Sequence, residues 1–262
     1  VGIDWDEGIN RQPSTINSQQ STINSQQSTI NKKMTTDLNE KLMLAVIRGD
    51  AYSVQDFLIH GADVNTLGKG DTTPLMMAAS EGYLEIVNIL LARGAEVNTK
   101  NVTGYTALMY AVEGLKPDIG TAILEKGADI GGINNYGETV LMSASRKGYT
   151  ELVKKLIELG ADVNAKNNIG DRALYFAAEN GHTETVQILI ENGADVNAAN
   201  IGGWTALMMA AAQAYGAAVA VLLENGADVH AKNKWGGTAL KEARKTVSPA
   251  TVQLLIRAGA IE

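Results

Sequence analysis

"TTPLMMAASEGYLEIVNILLARGAEVN", residues 72–98, is the stretch whose reading decides the fold. Thr73 is placed to cap a helix, and Pro74 follows at the first helical position, where a missing N–H costs nothing. "LMMAAS" then sets Leu75, Ala78 and Ala79 on one face, and Gly82 breaks the helix. "YLEIVNILLARG" carries Ile86, Val87, Leu90 and Leu91 at i, i+3/i+4 spacing, the stripe of a second helix. Gly94 stands where a left-handed residue ends that helix, and "AEVNTK" projects as a turn. Small Ala on the first helix permits close approach, and the branched stripe on the second fills the gap.

The same grammar recurs along the chain. The Gly of "GADVN" and its variants falls at Gly61, Gly94, Gly127, Gly160, Gly193, Gly226 and Gly259, always 33 residues apart. The Leu of "TPL" and "TAL" falls at Leu75, Leu108, Leu141, Leu174, Leu207 and Leu240, again 33 apart. Two independent markers in one register define a repeat architecture rather than a single globular core.

With "GYTALMYAVEG" (104–114), "GHTETVQILIENGADVNA" (181–198) and "GWTALMMAAA" (203–212), these units resemble the ankyrin repeat family over residues 37–262. The resemblance implies an all-α, ankyrin-type α-solenoid of seven stacked helix pairs with hairpin-like loops. An N-terminal cap is expected at 37–65, five internal repeats at 66–230 and a C-terminal cap at 231–262, behind a low-complexity tail at 1–36. Departures from the family pattern carry their own expectations. The family's His after T-P-L is replaced by Met76, Met109, Met142, Tyr175, Met208 and Lys241, so its local hydrogen bonds must be replaced or lost. Arg172 takes the place of a capping Thr. Leu115 and Ala214 take the place of the inter-helix Gly, predicting distortion there, and Asp71 sits where later units have Gly.

Composition excludes several classes of function. The net charge of −7 lacks the basic face a general nucleic-acid binder needs. Zero Cys rules out disulfides and thiolate metal sites. No run of 18 apolar residues is present to span a membrane. A soluble, cytoplasmic protein is expected, with secretion or a periplasmic location left open by the start at Val1. His60, His182 and His230 lie in different units at framework positions, so neither a metal site nor a catalytic residue is expected, nor any cofactor. "GKGDTT" (68–73) lacks the spacing of a phosphate loop, and Asn101-Val102-Thr103 matches a glycosylation acceptor.

The resemblance implies a non-enzymatic interaction module that binds a protein or peptide through hairpin tips and the inner helix face. By register those surfaces hold Tyr105, Tyr136, Ile169, Trp204, Lys234 and Trp235 at tips, and Arg146 and Lys147 on a first helix. Exposed aromatics are typical binding anchors, although they also serve to shield a stack. A different reading comes from "STINSQQSTINSQQSTIN" (14–31), seven letters repeated. It reads first as an uncharged flexible linker, and also suits chain-to-chain stacking through amide ladders. As a helix it would align Ile16, Ile23 and Ile30, with Pro13 interrupting the pattern that starts at Ile9. Together with Trp5 in an acidic N-terminal segment, these are the candidate self-assembly residues, giving a homo-oligomer or filament as the alternative function.

Overall fold

The structure, a computed structural model, describes residues 13–114, 116–246 and 248–261. Among the described residues the chain forms seven helix pairs and no strand. The first helices are α1 (Pro13–Arg48), α3 (Pro74–Glu81), α5 (Ala107–Glu113), α7 (Val140–Lys147), α9 (Ala173–Glu179), α11 (Ala206–Ala212) and α13 (Ala239–Lys245). Their partners are α2 (Ala51–Ile59), α4 (Leu84–Ala92), α6 (Pro117–Glu125), α8 (Thr150–Glu158), α10 (Thr183–Glu191), α12 (Gly216–Glu224) and α14 (Pro249–Arg257). Each first helix touches the first helix of the next unit, and each second helix touches the next second helix. The result is a two-row solenoid. Leu75, Leu108, Leu141, Leu174, Leu207 and Leu240 are all buried along its spine.

Local chemistry starts five of the first helices as the sequence predicts. Thr73, Thr106, Thr139, Thr205 and Thr238 each accept a hydrogen bond from the backbone N–H three residues on. Arg172 caps nothing at α9; its Nε instead donates to the Asn164 carbonyl at 3.2 Å. Where the family has His, the Met76 thioether accepts from the Thr73 N–H at 3.5 Å and takes over part of the lost bonding. Asp71 and Ala214 adopt the left-handed φ expected at glycine positions, 59° and 61°. Leu115, the other such substitution, lies outside the described residues. "GKGDTT" folds as the first loop tip, a short 3-10 turn at Lys69–Asp71.

Two asparagine ladders were not read from the sequence. Asn101, Asn134, Asn167, Asn200 and Asn233 are 33 apart and buried or nearly so. The Oδ1 of each accepts two backbone N–H groups of its own hairpin, as Asn167 does from Ile169 and Asp171 at 3.0 and 2.9 Å. Asn101 also donates to the Tyr110 hydroxyl at 2.9 Å, so this buried side chain is the hairpin's brace and is not presented for glycosylation. The second ladder joins units. Asn164 accepts from the Asp195 N–H at 2.9 Å and donates to the Gly193 carbonyl at 2.8 Å; Asn98 and Asn197 repeat this clip. Gly131 occupies the equivalent position in the third clip and leaves it unmade. The 33-residue recurrence of Asn was the available signal in both cases.

α1 differs most from expectation. Pro13 is the first described residue of a 36-residue helix, the Ile9 side of the pattern lying outside the described residues, and the helix passes through residue 36 into the first unit without a break. Proline at a first helical position removes an N–H that has no intrahelical partner. No Gly or Pro follows before Gly49. Thr29, Thr35 and Thr36 hydroxyls donate back to carbonyls four residues earlier, at 2.9 Å each. Ile16, Ile23 and Ile30 belong to this helix, their side chains lying outside the described part, and Trp5 lies outside the described residues altogether.

Candidate functional site

The hairpin tips form a continuous edge because each is bonded to the next. The N–H groups of Val102, Asn135, Asn168, Ile201 and Lys234 donate to the carbonyls of Gly70, Thr103, Tyr136, Ile169 and Gly202, at 2.9–3.1 Å. This backbone ladder fixes what the tip side chains can do: their Cα atoms are held and their side chains project outward. Val102 is 60% exposed, Tyr136 63%, Ile169 57%, Ile201 60% and Trp235 75%. Five large apolar side chains therefore lie along one edge in contact with water.

The sequence-predicted anchors divide into two groups. Tyr136, Ile169 and Trp235 are on this open edge, together with exposed Lys234. Tyr105 and Trp204 are half-buried against the core, Tyr105 with its ring centroid 5.5 Å from that of Tyr110. The two indoles nevertheless converge. A Cβ on Gly202 would lie 3.0 Å from Trp204 Cδ1 and 3.4 Å from Trp235 Cζ3, so glycine is what lets both rings close over that loop. Beside them opens a cleft of about 300 Å³, lined on its far wall by Lys241, Glu242 and Lys245. Val102 and Ile201, which the register also exposes, complete the stripe.

The inner face is electrostatically crowded. The Arg146 guanidinium pairs with the Glu138 carboxylate, comes within 3.6 Å of Glu113 Oε1, and sits 4.2 Å above the Phe176 ring. Lys147 Nζ is 3.0 Å from Glu113 Oε2. Both predicted cations are thus engaged within the protein. His182 is a structural partner here: its Nε2 is 2.9 Å from the Arg146 carbonyl and its ring covers Gly148. Farther along, Asp171 is buried and accepts from Asn200 Nδ2 at 2.8 Å. Burial holds its carboxyl above the usual range, against the pull of the Asn200 and Asn167 hydrogen bonds. The Glu179 carboxyl is raised by burial and then by the Asp171 carboxylate, with Arg146 opposing. The Tyr175 hydroxyl between them is pushed up chiefly by burial. Four carboxylates share two cations, so this face carries surplus negative charge. Among the described residues, no three His, Asp or Glu side chains gather as a metal-binding group, and no helix is long and apolar enough to cross a membrane.

This geometry has a known counterpart. The family model described as ankyrin repeats (three copies) matches residues 42–134, 104–167 and 141–233. The chain belongs to the ankyrin repeat family. Among solved structures it is similar to the human ASB11 ankyrin repeat domain, with a TM-score of 0.75 and 23% identity over 84% of this chain and 98% of that one. No curated protein matches the sequence significantly. Ankyrin repeats are general protein–protein interaction modules and typically not enzymes, which agrees in kind with an exposed apolar edge beside a charged groove.

Proposed function

We propose that this ankyrin stack captures an extended segment of a partner protein along its hairpin tips and inner helix face. The exposure of Val102, Tyr136, Ile169, Ile201 and Trp235 on one backbone-tied edge carries the reading. Soluble proteins seldom leave such a row open without a partner to cover it. The bonded tips lose little further entropy on binding, which favours affinity. On the inner face the surplus of carboxylates around Asp171 and Glu179 favours a basic side chain of the partner. Arg146 and Lys147 serve mainly to position Glu113 and Glu138.

A displayed random-peptide library selected against the protein supplies the probe. Peptides selected by the native chain should lose about 30-fold or more in affinity to Tyr136→Ala/Trp235→Ala, the loss expected of two aromatic anchors. They should bind Lys155→Ala/Glu158→Ala, altered on the outer helix row, with unchanged affinity. Equal loss in both variants, or in neither, would overturn the assignment of the tips.

A further inference from the structure

We propose that the ridge of Tyr136, Ile169, Trp204 and Trp235 binds a polyproline II segment of the partner, one residue to each hairpin, with acidic residues where the segment passes Trp235. This rests on the tip capture proposed above, and it names the conformation and the charge of what is captured.

The spacing of the ridge selects the conformation. Tyr136, Ile169, Gly202 and Trp235 hold one register, 33 residues apart. The path from each to the next is one hydrogen bond and one residue. The Tyr136 carbonyl accepts from the Asn168 N–H at 3.0 Å, and Ile169 follows Asn168. The Ile169 carbonyl accepts from the Ile201 N–H at 2.9 Å, and Gly202 follows Ile201. The Gly202 carbonyl accepts from the Lys234 N–H at 3.0 Å, and Trp235 follows Lys234. A ladder crossing spans about 4.8 Å and a residue step about 3.8 Å, so successive positions stand about 9 Å apart. The first helices beneath them pack in sequence, and helix packing at about 8–10 Å imposes the same interval. A polyproline II helix turns once in three residues, or about 9.3 Å, and returns a side chain to the same side at each turn. A β-strand returns one every ~6.7 Å and an α-helix turns every ~5.4 Å, so both lose register with the hairpins at the second contact.

The ridge offers the surface such a segment needs. Tyr136, Ile169 and Trp235 are exposed. At Gly202 the row would have a gap, but the indoles of Trp204 and Trp235 close over it. Three of the four side chains are therefore aromatic, the lining on which proline-rich segments dock. In the other direction the register continues as Thr103 and Gly70, which carry no large apolar side chain. The ridge thus spans four hairpins and takes about ten residues of the segment. A segment already extended in solution loses little entropy on the rigid tips.

Charge distinguishes the two ends. Lys241 and Lys245 line the cleft beside the indoles, and the one carboxylate in that lining, Glu242, is buried and held by Lys245 Nζ at 2.7 Å. Lys232, Lys241 and His230 line the neighbouring cleft of about 420 Å³, which has no carboxylate in its lining. Lys234 is exposed between Asn233 and Trp235. At the Tyr136 end, Glu138 is already paired with Arg146. Acidic residues of the segment therefore find complementary charge beside Trp235.

The probe is a synthetic peptide of about ten residues with proline at every third position, alanine between, and glutamates at one end, made in both orientations. In calorimetric titration of the full chain, one orientation should bind. One alanine inserted after its second proline should weaken it about 10-fold or more, because the later prolines leave the hairpin register. Trp235→Ala should abolish binding. Exchanging the glutamates for glutamine, or Lys234→Glu/Lys241→Glu in the protein, should weaken it about 5-fold or more. Equal binding of the inserted peptide overturns the polyproline II assignment, and equal binding of the glutamine peptide overturns the acidic end. If neither orientation binds while library peptides that depend on Tyr136 and Trp235 do, this inference falls and tip capture stands. If no peptide depends on those side chains, both fall.

Discussion

At the scale of single residues, the strained positions are the ones where the repeat's own rule is broken. Ala214 holds φ 61° where Gly49, Gly82, Gly148 and Gly181 stand in other units. An L-residue in that region costs about 1–2 kcal/mol, and glycine's freer unfolded chain returns about 0.5–1 kcal/mol of any relief. Ala214→Gly should therefore stabilise the protein by roughly 0.5–1 kcal/mol in urea titrations. Glu179 presents a second, titratable cost. Its carboxyl is raised in the folded state, mainly by burial, so the folded protein binds that proton more tightly than the unfolded chain. Its contribution to stability is present at low pH and is lost as pH rises through the folded value. Glu179→Gln should unfold at higher temperature than the native chain at pH 7. The gap should close as the pH is lowered toward 4. A gap independent of pH would assign the effect to packing instead.

At the scale of elements, the units are joined by backbone ladders and by asparagine clips, and the clip positions at Gly131 and His230 hold no asparagine. Gly131 keeps the local turn of its counterparts, its N–H donating to Asp129 Oδ1 at 2.9 Å as Asn164 N–H does to Asp162 at 2.8 Å. A Cβ there meets nothing closer than 3.5 Å, and its φ is not left-handed. Gly131→Asn should add the third clip and stabilise by about 1–2 kcal/mol, the worth of one or two added hydrogen bonds. The helices were legible in the sequence because their signals are local: Thr caps, Ala faces and Leu/Ile/Val stripes at helical spacing. Legible too was the left-handed turn at Asp71, since a substitution at a periodic glycine announces itself; at Ala214, where distortion was expected, the chain keeps glycine's left-handed conformation and bears the strain instead. The asparagine ladders were not: the clips' partners lie in the next unit, the hairpin braces turn on loop geometry that the sequence does not fix, and Asn in a loop has many local uses. The burial of Trp204 and Tyr105 beside open Trp235 and Tyr136 was equally hidden. Register places all four near the tips, but only packing between hairpins decides which rings are covered.

At the scale of the whole molecule, a solenoid couples each unit only to its neighbours, so its cooperativity is as strong as its weakest junction. The chain offers a convenient reporter of this. Trp204 and Trp235 sit in the last two units, and the remaining Trp is Trp5 near the N-terminus. In a Trp5→Phe background, tryptophan fluorescence reports the C-terminal end of the stack while far-UV circular dichroism reports all of it. The junction at the centre can be weakened selectively. Gly148 has φ 68°, and a Cβ there would lie 2.4 Å from His182 Nδ1 of the next unit. Gly148→Ala therefore combines backbone strain with a steric clash between adjoining units, together about 2–3 kcal/mol. With the junction intact, the two probes should trace one urea transition. With it weakened, fluorescence should keep nearly its original midpoint, because three units remain stacked beyond the cut. The dichroism signal should acquire an earlier phase from the N-terminal units. If both probes instead move together to lower urea, stability is shared across the full length of the stack. Nearest-neighbour coupling would then be the wrong description of this protein.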